Sequence, residues 1–474
     1  MNNAVIDHIR LEANSKLDPE RKSQLGQFMT PSHIAEFMAS LFTNPLKRAH
    51  LLDAGAGVGS LAISAIKILK NLRFIDAWEI DPMLQSYLGK NLSKFKVPYL
   101  IHDSDFIQDA VMHLNKGIGS KFTHVILNPP YKKINSNSLY RHLLREVGIE
   151  TVNLYTAFVA LSILLAVKGA EIVAIIPRSF CNGPYYKPFR EFLLNKCSID
   201  HIHIFESRNK AFGDDEVLQE NVILKLSKGI RQKSVTISSS HDAKFIDYKE
   251  RIVLFSDIIK PNDNELFIHI PTNTDTKTVA GLFSHSLHEL SLEVCTGPVV
   301  DFRLKEHWLN EPSKSSIPII YPHHFSQGKF EYPKHHKKPN ALRFSPEINK
   351  WLMPNGFYVV VKRFSAKEEK KRIVAYILDP HDIQSKSIGF ENHWNVFHVG
   401  KAGLTEEIAK GLACVLNSTQ LDQYFRVFSG HTQVNATDLR NMKYPNLSKL
   451  SRLGKQYTSS LTQKQIDSLV DGLA

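Results

Sequence analysis

A chain of 474 residues with 43% hydrophobic and 22% charged residues is too long for one ordinary domain and has the composition of a soluble protein, so two or three domains are expected. Its formal charge of +12 points toward a polyanionic partner, and the part beyond about residue 270 is the more basic although it is the shorter. The longest apolar run, Tyr155 to Val167, is too short to cross a bilayer, Met1 to Arg10 has no signal-peptide core, and Cys181, Cys197, Cys295 and Cys414 form no C-x-x-C pair; a cytoplasmic protein without structural zinc or membrane contact is expected.

In chain order, Thr30-Pro31 reads as an N-cap followed by proline at the first helical position, with Ile34, Phe37, Met38, Leu41 and Phe42 as one apolar stripe. Leu51 to Ala54 is a short apolar strand, and Gly55, Gly57 and Gly59 then make a turn before a helix over 60–70. The spacing is G-x-G-x-G, not the G-x-G-x-x-G that cradles a pyrophosphate, and Asp53 stands immediately before it. A cationic ligand without phosphates suits this turn. S-adenosyl-L-methionine (AdoMet), with its sulfonium and ammonium groups, is such a ligand.

A strand over 74–79 ends in Glu79-Ile80-Asp81-Pro82 and puts a carboxylate at its carboxyl end, where acids commonly accept from ribose hydroxyls. After a helix over 82–93, the strand 98–102 leads to Asp105 and Phe106, candidates to accept from an adenine amino group and to pack on its ring. Each acid taken singly reads equally well as a solvated loop charge. Further strands over 124–127, 171–176 and 199–205 alternate with helices over 151–167 and 185–195, and a last strand, Asn221 to Leu226, is expected to form a hairpin with its predecessor. Such alternation implies a mostly parallel sheet with helices on both faces.

The strand Val125-Ile126-Leu127 runs directly into Asn128-Pro129-Pro130-Tyr131. The prolines fix φ and donate nothing, which leaves nearby carbonyls outward as acceptors. An exocyclic –NH2 can give one hydrogen to the Asn128 side-chain oxygen and the other to the Pro129 carbonyl, and Tyr131 offers its ring as a flat surface. A plain turn is the competing reading of the tetrapeptide alone.

Together these residues resemble the DNA adenine N6-methyltransferases of restriction–modification systems, of the PstI/BsuBI type. Gly26 to Pro31, Asp53 to Gly59, Glu79 to Pro82, Asp105-Phe106 and Asn128 to Tyr131 match successive blocks of that family. Lys210 to Ile223, Thr296 to Arg303 and Phe428 to Asn435 extend the match over nearly the whole chain. The resemblance implies a Rossmann-like α/β AdoMet-dependent methyltransferase domain over 1–255 and a mixed α+β DNA target-recognition domain over 256–474. It implies AdoMet as cofactor, held by Thr30, Pro31, Asp53, Ala54, Gly55, Gly57, Glu79, Ile80, Asp105, Phe106 and Asn128. A flipped adenine would lie among Asn128, Pro129, Pro130, Tyr131 and Phe212, with Phe205 as runner-up for the second wall and core packing as its competing role.

From about residue 255 the alternation gives way to short strands, prolines and paired histidines. Gly356 to Phe364 and Ile373 to Leu378 read as neighbouring strands joined by a charged loop, and Leu404 to Leu416 and Thr419 to Phe428 as helices. Lys334 to Lys338, Lys362-Arg363 and Lys367 to Arg372 are candidates for phosphate contact; Gln433 and Asn435 are candidates for reading bases or for holding the domains together. His323-His324 and His335-His336 complete no metal-ligand spacing.

The expected partner is double-stranded DNA, bound by a monomer. No nuclease pattern stands beside the methyltransferase motifs, which leaves cleavage in such a system to a separate cognate restriction endonuclease. Competing activities that keep the same pocket are N4-cytosine methylation, disfavoured by Asn rather than Ser at 128, and methylation of RNA or protein glutamine, disfavoured by the long basic C-terminal part. A DNA-binding repressor that merely retains the fold is disfavoured by intact Asp53, Glu79, Asp105 and Asn128.

Overall fold

The computed structural model describes residues 2–18, 29–43, 48–205, 220–271, 282–313, 315–326, 328–365, 371–429 and 433–473. The chain divides into two compact units, 1–272 and 273–474. The division falls later than residue 255 because the intervening segment is tied to the first unit. Ile268 N donates to Cys181 O at 2.8 Å, and the buried Arg190 guanidinium donates to the Glu265 carbonyl from Nε at 3.0 Å and from Nη2 at 2.7 Å.

Among the described residues, the first unit is built on nine strands: β1 (Ala49–Ala54), β2 (Leu72–Trp78), β3 (Tyr99–His102), β4 (Phe122–Leu127), β5 (Ala166–Pro177), β6 (Cys197–Phe205), β7 (Asn221–Lys228), β8 (Val235–Ser240) and β9 (Lys249–Val253), in the sheet order β3-β2-β1-β4-β5-β7-β6-β8-β9. From β3 to β5 all pairs are parallel. The expected β6/β7 hairpin forms, and β7 also inserts between β6 and β5, antiparallel to both. Sequence alternation did not reveal β8 and β9, which extend the sheet beyond β6.

Among the described residues, the helices α1 (Asn3–Lys16), α2 (Ser32–Ser40), α3 (Ser60–Ile68), α4 (Pro82–Leu92), α5 (Phe106–Asn115), α6 (Leu139–Glu146), α7 (Leu154–Leu165) and α8 (Lys187–Lys196) accompany these strands, and a short helix, Phe255–Ile258, follows β9. Successive strand residues feed opposite cores, as a period of two requires. Val125, Leu127, Ile172, Ala174 and Ile176 pack with α5, α7 and α8, whereas Ile126, Val173 and Ile175 pack with α1, α2, α3 and α4. Helix starts follow local chemistry. Asp81 Oδ1 accepts from Met83 N and Leu84 N with Pro82 at the first helical position, and Asp105 Oδ1 caps α5 by accepting from Gln108 N.

Thr30 is not the cap of α2; Pro31 occupies that position and no side chain caps the helix. Its first turn is held from α1 instead, where Asp7 Oδ1 accepts from Ser32 N at 2.9 Å. The far end of α2 is fixed to the sheet by a buried ion pair: Glu171 accepts from Thr43 N at 2.9 Å and from Lys225 Nζ at 2.7 Å.

The second unit has a four-stranded antiparallel sheet, in the order Glu293–Thr296, Trp394–His398, Tyr358–Lys362 and Ala375–Leu378. A five-stranded sheet of shorter strands accompanies it. Helices Glu406–Leu416 and Thr419–Phe428 form as expected, with three more after them among the described residues. Several residues read as DNA contacts serve this unit's own packing. Arg372 is buried against the Phe425 ring, Lys338 pairs with Asp301 at 2.6 Å, Asn435 caps the helix Ala436–Asn441 with Asp438, and Gln433 bridges to Phe364. His323 stacks on His336, and no group of three metal-ligating side chains occurs among the described residues. No helix among them is long and apolar enough to cross a membrane.

Candidate active site

A cavity of about 360 Å³ opens at the carboxyl ends of the parallel strands of the first unit, where open α/β sheets bind ligands. Thr30, Gly55, Gly57, Glu79, Ile80, Asp105, Phe106, Asn128 and Pro130 line it, so nine of the residues singled out in the sequence converge from five separate segments. Pro31, Asp53, Ala54, Pro129 and Tyr131 lie off its wall. Phe212 falls outside the described residues. Phe205 is buried in the core beside Phe245.

The glycine turn is built so that backbone forms one wall. Gly55, Gly57 and Gly59 have φ of +81°, +55° and +90°, values that side chains resist. Glu79 holds the turn: its Oε2 accepts from Gly57 N and its Oε1 from Asp81 N, both at 2.8 Å. Burial raises the Glu79 pKa, and these two backbone donors act against that rise. Asp53 lies beneath the turn, fully buried, with Oδ2 accepting from Ala62 N at 3.2 Å in the first turn of α3. Burial, reinforced by the Glu79 charge, pushes its pKa up to about 8. The sequence marked Asp53 as a ligand-facing acid; the fold uses it as a support.

The opposite walls are aromatic. Phe106 and Phe158 lie 4.9 Å apart, and Trp78 stacks on His102 at 3.7 Å while its indole N–H donates to Asp109 at 3.1 Å. Trp78, Tyr140 and Phe158 were not singled out in the sequence. Trp78 was detectable as the residue before Glu79, but Tyr140 sits on α6, which sequence periodicity did not suggest. Its hydroxyl donates to Asp105 Oδ2 at 2.5 Å. Asp105 is thus both a helix cap and a carboxylate on the cavity wall.

Asn128 follows β4 at the cavity edge, half-buried. Its Nδ2 donates to Thr30 Oγ1 at 3.0 Å, and its Oδ1 accepts from the Tyr131 hydroxyl at 2.8 Å. The Tyr131 hydroxyl also lies 3.1 Å from Ile175 O, and burial raises its pKa. The Tyr131 ring meets that of Tyr155 edge-on at 6.3 Å.

The cavity has the size and lining to take a nucleoside-sized ligand. Apolar rings flank one part, Glu79 supplies acceptor oxygens, and Ser60 Oγ is buried on the wall without a hydrogen-bond partner among the described residues. Sheet order, glycine turn and cavity together define the Rossmann-like fold of the AdoMet-dependent methyltransferases.

A family model described as Eco57I restriction-modification methylase matches residues 67–212. The chain is 51% identical to the type II methyltransferase M.BsuBI of Bacillus subtilis, covering 99% of this chain and 97% of the relative. It is 43% identical to the type II methyltransferase M.PstI of Providencia stuartii, covering 99% and 96%. The chain therefore belongs to the family of type II restriction–modification methyltransferases that includes M.BsuBI and M.PstI. Among solved structures, a nuclease-deletion mutant of the type ISP restriction-modification enzyme LlaGI in complex with a DNA substrate mimic is similar in fold, with a TM-score of 0.51 at 13% identity over 95% of this chain and 56% of that one.

Proposed function

We propose that this methyltransferase modifies N6 of an adenine in a specific sequence of double-stranded DNA, with AdoMet as donor, as the protecting partner of a separate restriction endonuclease. The observation that carries the reading is the Asn128 carboxamide, set by two following prolines on the edge of a cavity suited to AdoMet. When bound, AdoMet supplies a methyl group already activated by its sulfonium. Glu79 would accept from the ribose hydroxyls, Asp105 would face the adenine amino group of the cofactor, and Phe106 would pack on that ring. The Gly55–Gly59 backbone would lie against the methionine portion.

A base inside a duplex cannot reach this depth, so the target must leave the stack, at a cost of about a few kcal/mol. Asn128 Oδ1 and the Pro129 carbonyl would each accept one hydrogen of the target amino group and draw its lone pair out of ring conjugation. An amide is no base at neutral pH, so Asn128 aligns and polarises. The surplus proton leaves after transfer. Tyr131 and Phe212 would bracket the base. The first unit would perform the chemistry and the second would read the sequence.

The test is nucleoside analysis of DNA labelled with radioactive AdoMet. Label in N6-methyldeoxyadenosine, lost in Asn128→Ala while specific DNA binding persists, is the expected result. Label in N4-methyldeoxycytidine, RNA or protein would overturn the assignment.

A further inference from the structure

A carboxylate only accepts hydrogen bonds, so its orientation is set by the donors that hold it. Asp105, half-buried on the cavity wall after β3, is held by two. Its Oδ1 accepts from Gln108 N at 3.0 Å as the cap of α5, and its Oδ2 accepts from the Tyr140 hydroxyl at 2.5 Å. The first donor comes with the helix. The second reaches across from α6, 35 residues further along the chain.

The cap alone leaves one freedom. The second torsion of an aspartate is broad, so a carboxylate tied at a single oxygen can pivot about Cβ–Cγ. Tyr140 ties the other oxygen and so fixes the plane. Its hydroxyl has one hydrogen and a carboxylate has none to return, so this bond runs in one direction only. Burial, and then the bond to the Asp105 charge, raise the Tyr140 pKa and keep that hydrogen in place. The helix that carries Tyr140 is anchored as well. At its far end Glu146 accepts from Asn115 Nδ2 of α5 at 3.0 Å, and Tyr140 packs against the core at its start. A carboxylate has about four lone-pair sites. Gln108 N and the Tyr140 hydroxyl take one each, which leaves acceptor sites of a fixed plane on the cavity wall.

We infer that Tyr140 is a positioning residue for cofactor selection: by donating to Asp105 it fixes the carboxylate plane that accepts from the 6-amino group of the cofactor's purine. This rests on the role proposed above for Asp105. It gives Tyr140 a part in telling a 6-amino purine from one that lacks the amino group, which is separate from lining the cavity.

The experiment titrates the full chain with S-adenosylhomocysteine and with its analogue that carries hydrogen in place of the 6-amino group, in the wild type, Tyr140→Phe and Asp105→Asn. A hydrogen bond to a charged acceptor predicts a wild-type preference of about thirtyfold for S-adenosylhomocysteine. Phenylalanine keeps the ring and removes only the donor. Tyr140→Phe should therefore bind S-adenosylhomocysteine about tenfold more weakly and the analogue within about twofold of wild type, shrinking the preference to about threefold. Retained analogue binding shows that the variant is folded. Equal weakening of both ligands would overturn the inference, since a ring that merely lines or braces the cavity acts on both alike, as would an unchanged preference. Asp105→Asn keeps an oxygen for the Gln108 cap and separates the two ideas. If it abolishes the preference while Tyr140→Phe binds normally, only the positioning role fails; if it keeps the wild-type preference, the reading of Asp105 fails with it.

Discussion

Asp53→Asn should make the protein's stability less dependent on pH. In the native protein the fully buried Asp53 carboxyl is raised from 3.8 to about 8 by burial and by the nearby Glu79 charge. Between pH 5 and pH 7 the folded protein holds this proton and the unfolded chain does not. Unfolding therefore releases one proton. The stabilisation is fully present below the unfolded value and is lost as pH rises toward the folded one. Over those two pH units the wild type should lose about 2.7 kcal/mol through this single group. Asparagine keeps an oxygen for Ala62 N and has no proton to release, so its variant lacks that slope. Buried His201, His203 and His269, depressed to about 4, 3 and 3 by desolvation, oppose the trend because their stabilisation is lost as pH falls. They are the same in both proteins and cancel in the comparison. Urea denaturation of the two proteins at pH 5 and pH 7 gives the double difference directly. Parallel pH dependence in the two would refute the burial argument for Asp53.

Gly411→Ala should destabilise the second unit by about 3 kcal/mol, read as a lowered urea midpoint, because an added Cβ would lie 1.9 Å from the Leu450 carbonyl oxygen of the helix Leu447–Gly454. Lys225→Met removes the ammonium 2.7 Å from buried Glu171, and a loss of about 3 kcal/mol in the stability of the first unit is expected in the same assay. Glu79→Gln leaves one oxygen where two now accept from Gly57 N and Asp81 N, so S-adenosylhomocysteine titrated by calorimetry should bind about tenfold more weakly. Unchanged affinity there would show that Glu79 does not organise the glycine turn.

The segments of the cavity were legible because their constraints are local. Glycines at 55, 57 and 59 announce positive φ, Asp81-Pro82 announces a helix start, and a strand running into Asn128-Pro129-Pro130 announces an amide held at a sheet end. Short apolar runs spaced between helical segments likewise identified β4, β5 and β6, since burial on both faces of a sheet calls for continuous apolar sequence. What a side chain touches is another matter, because partners are chosen across long sequence separations. Only folding brought Thr30 to Asn128, turned the Tyr131 hydroxyl onto the same amide, lodged Asp53 beneath the turn and joined Tyr140 to Asp105. Nor did local pattern mark the end of the first unit, which runs past residue 255 because the Glu265 carbonyl is claimed by Arg190, seventy-five residues earlier. The sequence alone determined which groups stand at the strand ends, since composition and spacing act along the chain; the tertiary structure decided which way each group faces, since hydrogen bonds and burial act through space.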